Sequence, residues 1–260
     1  MSNLDPNTTA GRRGLILKML EELGQVNVNE LSEKFKVSEV TIRNDLTQLE
    51  QKNLLIRARG GAIKTDKVNL DLKISEKRTK NVREKQIIGR RASRLIEDGD
   101  TIILDSGTTT IEIAPYLGKF KNLTVITNGL NIAASLAEVE NVRVIVPGGI
   151  LRKKNFSLVG SMARDTFGHF FCDKLFLGAD GIDINLGLST PDLEEAALNR
   201  TMLRMAKKVI VVADSSKFRK RSLAVIGNIN LIDILVTDKG LRPEDQEAFE
   251  RAGIEVIIAD

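Results

Sequence analysis

Apolar positions between residues 12 and 51 recur at helical spacing. Leu15, Ile16, Met19, Leu20 and Leu23 share one face of a first helix. Val28, Leu31 and Phe35 mark a second, and Val40, Ile42, Leu46 and Leu49 a third. Gly24 follows the first stripe, where a glycine commonly ends a helix. Ser38 stands before the third as an N-cap, and that helix is expected from Glu39 to about Gln51, with Asn53 breaking it. Residues 54–57 and 62–63 read as two short strands around Gly60-Gly61, a turn signal.

The pattern then changes. Residues 66–80 are polar and without a clear period, which predicts a linker. A helix is expected over about 81–96. Beyond Gly99, strand-length apolar runs at 101–104, 123–127, 142–146, 174–177, 209–213, 234–237 and 255–258 alternate with helical stretches. Such alternation predicts an α/β domain with a largely parallel sheet. The expected organisation is a flexible N-terminus (1–11), a winged helix-turn-helix domain (12–65), a linker (66–80) and a C-terminal α/β domain (81–260).

Composition narrows the class. At 260 residues the chain suits two domains, each able to bury a core without disulfides. Cys172 is the single cysteine, so no intrachain disulfide can form, as expected in a reducing compartment. The polar start, Met1 to Gly11, has no apolar signal-peptide region, and no run approaches the ~20 apolar residues of a membrane helix; a cytoplasmic protein is expected. The formal charge is +4, which permits nucleic-acid binding without requiring it. Between Lys73 and Arg94, nine basic residues face only Glu76 and Glu84. That run reads either as a solvated helix face or as a basic neck near phosphates.

Three short helices with a tight turn before the third match helix-turn-helix architecture. In that arrangement the third helix enters the major groove. Here it presents Glu39, Thr41, Arg43 and Asn44, with Thr47 and Gln48 one turn on. Arg reads guanine, and Asn or Gln reads adenine, through paired hydrogen bonds. The hairpin would form a wing whose Arg57, Arg59 and Lys64 meet phosphates, positioning the protein without reading sequence. A small helical subdomain with ordinary surface polar residues fits the pattern alone. The colinear stretch Val37-Ser38-Glu39-Val40-Thr41-Ile42-Arg43-Asn44-Asp45-Leu46, followed by Arg57 and Gly60-Gly61-Ala62, resembles the signature of DeoR-type regulators. The resemblance implies that Ser38, Thr41 and Arg43 lie at the DNA surface and that Asp45 supports the fold.

In the second half, Asp105-Ser106-Gly107-Thr108-Thr109-Thr110 follows a predicted strand and opens a predicted helix. Gly107 lets the backbone approach an anion, the helix start offers free N–H groups, and the hydroxyls add donors. An N-capped turn is the plain alternative. A sugar-kinase phosphate loop is another, for which the chain is short and a second motif is missing. No Walker A sequence is present. Thr127-Asn128-Gly129, Pro147-Gly148-Gly149, Gly178-Ala179-Asp180-Gly181 and Asp214-Ser215-Ser216-Lys217 also fall at strand ends, where open α/β sheets gather ligands. Asp105, Ser106, Gly107, Thr108, Thr109, Thr127, Asn128, Gly148, Gly149, Asp180 and Lys217 are therefore the candidate effector residues.

These segments, with Leu158-Val159-Gly160, Asp173–Gly181, Glu195–Arg200 and Asp214–Phe218, also resemble the effector domain of DeoR-type regulators, so that the resemblance runs from about residue 12 to 258. It is nearest to regulators of amino-sugar (N-acetylgalactosamine-type) use. The resemblance implies a fold similar to ribose-5-phosphate isomerases, glucosamine-6-phosphate deaminases and CoA transferases. It also implies a phosphorylated-sugar effector, with phosphate at Ser106–Thr109 and Lys217 as countercharge, and a homodimer or tetramer on double-stranded operator DNA. Position alone makes the basic helix at 81–96 the candidate for carrying the signal.

An enzyme is the competing class. His169 and Cys172 are each single, so no His/Cys metal cluster is available, and a Ser-His-Asp triad would have to recruit that one histidine. The alternative is a sugar-phosphate isomerase or deaminase with a fused helical domain; deaminases carry a catalytic histidine in a segment not found here, whereas an isomerase needs only carboxylates and a lysine, for which Asp180, Asp183, Glu194 and Glu195 are available. The expectation is a regulator, probing DNA and sugar phosphate without a cofactor or metal.

Overall fold

The computed structural model describes residues 8–51, 55–58, 60–63 and 72–260, and the chain divides into two compact units that part between residues 70 and 71. In the first unit the three helical stripes become α1 (Thr9–Leu23), α2 (Val28–Phe35) and α3 (Glu39–Gln51). Gly24 takes φ 75° and returns its N–H to the Leu20 carbonyl, closing α1. Between α1 and α2 lies a strand absent from the sequence expectation, β1 (Gln25–Asn27). It buries only Val26, and Asn27 already caps α2, so three residues carry no visible period. The hairpin strands β2 (Ile56–Ala58) and β3 (Gly61–Ile63) complete an antiparallel sheet in the order β1-β3-β2. Ile16, Leu20, Leu31, Ile42, Leu46 and Leu55 fill its core.

Among the described residues, Arg12 and Asp45 are charged and buried beside that core. Asp45 is 2% exposed and accepts from Arg12 Nε at 2.6 Å and Arg13 Nε at 2.7 Å, tying α3 to α1. A carboxylate so buried is tolerable only when paired.

The second unit opens with α4 (Ile74–Arg78) and α5 (Val82–Ala92). Its strands and helices then run β4 (Thr101–Leu104), β5 (Leu123–Thr127), α6 (Leu130–Leu136), β6 (Val142–Ile145), β7 (Ile150–Arg152), β8 (Ser157–Val159), α7 (Ser161–Phe167) and β9 (Cys172–Leu177). There follow β10 (Gly181–Asp183), β11 (Gly187–Thr190), α8 (Leu193–Met205), β12 (Ala206–Val212), β13 (Ala224–Gly227), β14 (Ile234–Asp238), α9 (Pro243–Arg251) and β15 (Glu255–Ala259). Seven strands form one parallel sheet in the order β15-β14-β12-β9-β4-β5-β6. These seven are the apolar runs that sequence periodicity singles out.

Alternate strand residues enter two cores, as a sheet covered on both faces requires. Ile103, Leu175, Leu177, Val209 and Val211 pack on one side with α8 and α9. Ile102, Leu104, Phe176, Ile210 and Val212 pack on the other with α5 and α6. Two antiparallel additions were not anticipated: the β7–β8 hairpin and the sheet β10-β11-β13. Each of their strands spans only three or four residues, too few for periodicity to register.

From β4 the chain steps outward through β5 and β6 in one direction, and from β9 through β12, β14 and β15 in the other. The order therefore reverses between β4 and β9. A crevice opens at such a point beyond the carboxyl ends of the strands, and ligands bind there in open α/β sheets. No described helix is long and apolar enough to cross a membrane.

Candidate functional site

Asp105 follows β4 and Gly178 follows β9, so both stand at the reversal point. The Asp105 carboxylate organises the loop around itself. It accepts from the N–H of Gly107 and the N–H of Gly178, each at 2.9 Å, and from the Thr110 hydroxyl. Burial pushes its carboxyl above the ordinary value, and those three donors pull it back. A Cβ on Gly107 would lie 2.9 Å from both Asp105 Oδ1 and Thr110 Oγ1, so the turn admits no side chain there without displacement.

The loop that results is rich in donors. No hydrogen bond within the described residues engages the backbone N–H groups or hydroxyls of Ser106, Thr108 and Thr109. The stretch Thr110–Lys119 continues as a 3-10 helix, where an α-helix was expected, with Pro115 inside it; proline removes an α-type hydrogen bond and crowds the preceding turn. Loop and helix start face a cleft of about 610 Å³, counting its open mouth.

The cleft brings Asp105, Ser106, Gly107, Thr108, Thr109, Asp180 and Lys217 together, as sequence reasoning anticipated. Asp180 holds Lys77 Nζ at 2.8 Å and has Lys217 Nζ at 3.9 Å. Thr127, Asn128, Gly148 and Gly149 are not among the lining residues. Thr127 Oγ1 accepts from the Gly129 N–H, and Asn128 Nδ2 donates to the Leu158 carbonyl. A Cβ on Gly129 would come within 3.0 Å of Ser106 Cα, so this turn backs the Ser106 loop from behind. Gly149 takes φ 140° and sits against the Val159 carbonyl, a close approach rather than a contact with the cleft.

Of the opposite wall, sequence reasoning weighs only Glu195, as a carboxylate for the enzyme alternative. That wall consists of Asn155, Thr190, Glu195 and Asn199, with Lys77 and Ile74. Glu195 is 6% exposed. Its Oε1 accepts from Asn155 Nδ2 at 2.8 Å, Ser157 Oγ at 2.9 Å and Arg152 at 3.2 Å. Burial raises the Glu195 carboxyl above its ordinary value, against Arg152, Asn155 and Ser157, which lower it. Asn155 Oδ1 is buried with no partner among the described residues, an acceptor waiting for a donor. Glu195 and Asn199, four apart on α8, share a helix face; that spacing was the available sequence signal. Of the other carboxylates weighed for catalysis, Asp183 accepts from the N–H groups of Asn185 and Leu186, and Glu194 pairs with Arg164 at 2.7 Å.

In the first unit, Ser38 Oγ accepts from the Thr41 N–H at 3.2 Å and lies 2.9 Å from Thr41 Oγ1, capping α3. Arg43, Asn44 and Gln48 are exposed along it, and Glu39, Thr41 and Thr47 are half-buried. Arg43 reaches back to Glu39 at 2.5 Å, and Gln48 donates to Gln51. Thr47 Oγ1 donates to the Arg43 carbonyl. Arg57 of β2 also turns to α3, donating to the Arg43 carbonyl at 3.0 Å and to Thr47 Oγ1 at 3.1 Å, so it ties wing to helix. Arg59, Lys64 and the helix-breaking Asn53 lie outside the described residues.

Comparison with known proteins follows this division. A family model described as a DeoR-like helix-turn-helix domain matches residues 12–68, and one described as the DeoR C terminal sensor domain matches residues 80–239. The chain is 40% identical to a protein of Escherichia coli O157:H7 assigned as an aga operon transcriptional repressor, over 99% of each chain. It is 33% identical to the glycerol-3-phosphate regulon repressor of Escherichia coli K12, over 87% of this chain and 90% of that protein. Among solved structures, a ribose-5-phosphate isomerase in complex with phospho-erythronic acid aligns over 52% of each chain at 20% identity and a TM-score of 0.39. With the helical unit and the α/β unit in the order of the two family models, and relatives matching from end to end, this chain belongs to the DeoR family of transcriptional regulators.

Proposed function

We propose that the chain represses a sugar or amino-sugar operon, and that a phosphorylated sugar bound in the β4–β9 cleft weakens its hold on operator DNA. The carrying observation is the Ser106–Thr109 loop: unengaged N–H groups and hydroxyls beside Lys77 and Lys217. Oriented backbone amides with adjacent ammonium groups suit a phosphate dianion. Asn155, Thr190, Glu195 and Asn199 face that loop with donors and acceptors for ring hydroxyls. The outward row Glu39, Thr41, Arg43, Asn44 and Gln48 is the reading surface for the major groove, on a homo-oligomer that spans two half-sites. Arg59 and Lys64 keep their assignment to phosphate contacts from the wing.

The test uses the full chain, a promoter DNA fragment and a panel of hexose, hexosamine and N-acetylhexosamine 6-phosphates with glycerol 3-phosphate. Parent sugars and inorganic phosphate serve as controls. One sugar phosphate at 100 times its Kd should add about 2.7 kcal/mol to the sensor unit and release the DNA in an anisotropy titration, while its parent sugar does neither. Absence of a thermal shift across the panel overturns the effector assignment. Asp180 and Glu195 in one cleft also meet the minimum for an isomerase, and turnover of the stabilising compound would favour that second reading.

A further inference from the structure

Residues 72–85 follow directly on the first unit, and their sequence predicts a featureless linker running into a helix. Their structure is specific. Ile74 is 3% exposed, lines the cleft, and donates its N–H to the Lys154 carbonyl at 2.8 Å, next to Asn155. Lys77 Nζ reaches Asp180, contacting its two carboxylate oxygens at 2.8 and 2.9 Å. Asn81 takes φ 51° and donates Nδ2 to Asp214 Oδ1 at 2.7 Å and Ser216 Oγ at 3.1 Å, in the turn that carries Lys217. Lys85 is 4% exposed, and its ammonium donates to the carbonyls of Lys77 and Lys80. This strap thus touches three of the loops that build the cleft, and it does so mainly through polar contacts; Ile74 is its one buried apolar anchor.

Within the cleft, Asp180 is already paired with ammonium groups as the structure stands. Asp180 faces both Lys77 and Lys217, the first at close range and the second at 3.9 Å. A sugar phosphate brings a charge of about −1.5 to −2 and three acceptor oxygens into that space. Lys77, only 12% exposed and lining the same cleft as Ser106–Thr109, has three donors to offer and a single carboxylate to receive them. We propose that Lys77 is an effector-binding residue: it shares its ammonium between Asp180 and the sugar phosphate, so that residues 72–81 register whether the cleft is occupied. This inference rests on the sugar-phosphate reading above and adds the residue through which occupancy reaches the chain leading to the DNA-binding unit.

The experiment compares the full-length wild-type chain with Lys77→Met, Lys77→Arg and, as a control on the same strap, Lys80→Met, whose side chain is exposed. Each is titrated with the sugar-phosphate panel by calorimetry, followed for DNA release by anisotropy, and probed by amide exchange over 72–81. In the wild type, the sugar phosphate that binds slows exchange across 74–81. Lys77→Met weakens that binding about 10- to 100-fold, the range for one hydrogen bond to a charged group, and abolishes both the slowing and the DNA release at matched occupancy. Lys77→Arg retains the response and Lys80→Met behaves as wild type, which excludes misfolding of the strap as the cause. Lys77→Met that binds and releases DNA within twofold of wild type overturns this inference alone. A wild-type chain that binds nothing in the panel overturns the sugar-phosphate reading and this inference with it.

Discussion

The outward face of α3 and the cleft between β4 and β9 assemble polar side chains in opposite ways. On that face of α3 most polar groups are exposed and most of their bonds are local: Arg43 to Glu39 four residues away, Ser38 to Thr41 three away, with Arg57 reaching Thr47 from ten away. In the cleft they are buried and their bonds are distant: Asp105 to Gly178 at a separation of 73, Lys77 to Asp180 at 103, Asn155 to Glu195 at 40. A helix face needs only a cap and a period to be displayed. A cleft between two strand ends exists only when the sheet order is right. The first should therefore tolerate substitution without loss of fold, whereas the second should transmit almost any change into stability, binding, or both.

Gly107→Ala is the strongest challenge to that contrast. The added methyl would stand 2.9 Å from Asp105 Oδ1 and Thr110 Oγ1, two atoms already engaged with each other. Relief requires the carboxylate to move, and with it the bond to Gly178 that joins the ends of β4 and β9. Overpacking of this kind costs about 1–3 kcal/mol. Chemical denaturation should show the sensor unit destabilised by that amount, with the thermal response to sugar phosphate lost. An unchanged midpoint and an intact response would mean that the loop is softer than its hydrogen bonds indicate.

Arg43→Ala sharpens the other side. Its guanidinium is half exposed and, among the described residues, pairs along its own helix, so stability should stay within about 0.5 kcal/mol of the parent. Specific DNA affinity should fall by about 1–3 kcal/mol if Arg43 reads a base, seen at fixed salt against a scrambled duplex. Equal losses on both duplexes would reassign Arg43 to phosphate.

The same contrast explains what was legible in the chain. Gly24, Ser38 and the stripe from Ile16 to Leu49 signal through their immediate neighbours. So do the seven strands of the parallel sheet, each apolar because it is covered on both faces. The donor loop after β4 was readable because glycine and hydroxyls sit together. The facing wall was not. Glu195 and Asn199 show as ordinary polar positions on α8 until β8 and the 153–156 turn deliver Ser157 and Asn155 to them. Lys77 lay in a segment without period, because a five-residue helix held by polar contacts leaves none. Thr127 and Asn128 were assigned to the ligand from their place at a strand end; Thr127 Oγ1 and Asn128 Nδ2 bond within the turn behind Ser106, while Asn128 Oδ1 is buried without a partner among the described residues.

The smallest expected effect concerns the buried carboxylate of that wall. Burial is the largest influence on Glu195 and raises its carboxyl above the ordinary range, despite Arg152. A group whose folded-state value is raised binds its proton more tightly in the folded chain. Its stabilising contribution is full below the unfolded value and is lost as pH rises through the folded value. Glu195→Gln keeps the shape and mimics the protonated form at every pH. Wild type and variant should therefore be closest in thermal stability near pH 5, and the variant should gain on the wild type as pH rises toward 8. A gap that moves the other way would show that Arg152 and the amide and hydroxyl donors outweigh burial. The donors around Glu195 would then matter as much to that wall as Arg12 and Arg13, which pair with the buried Asp45, matter to the first unit, and the contrast between the two regions would narrow to the reach of their bonds.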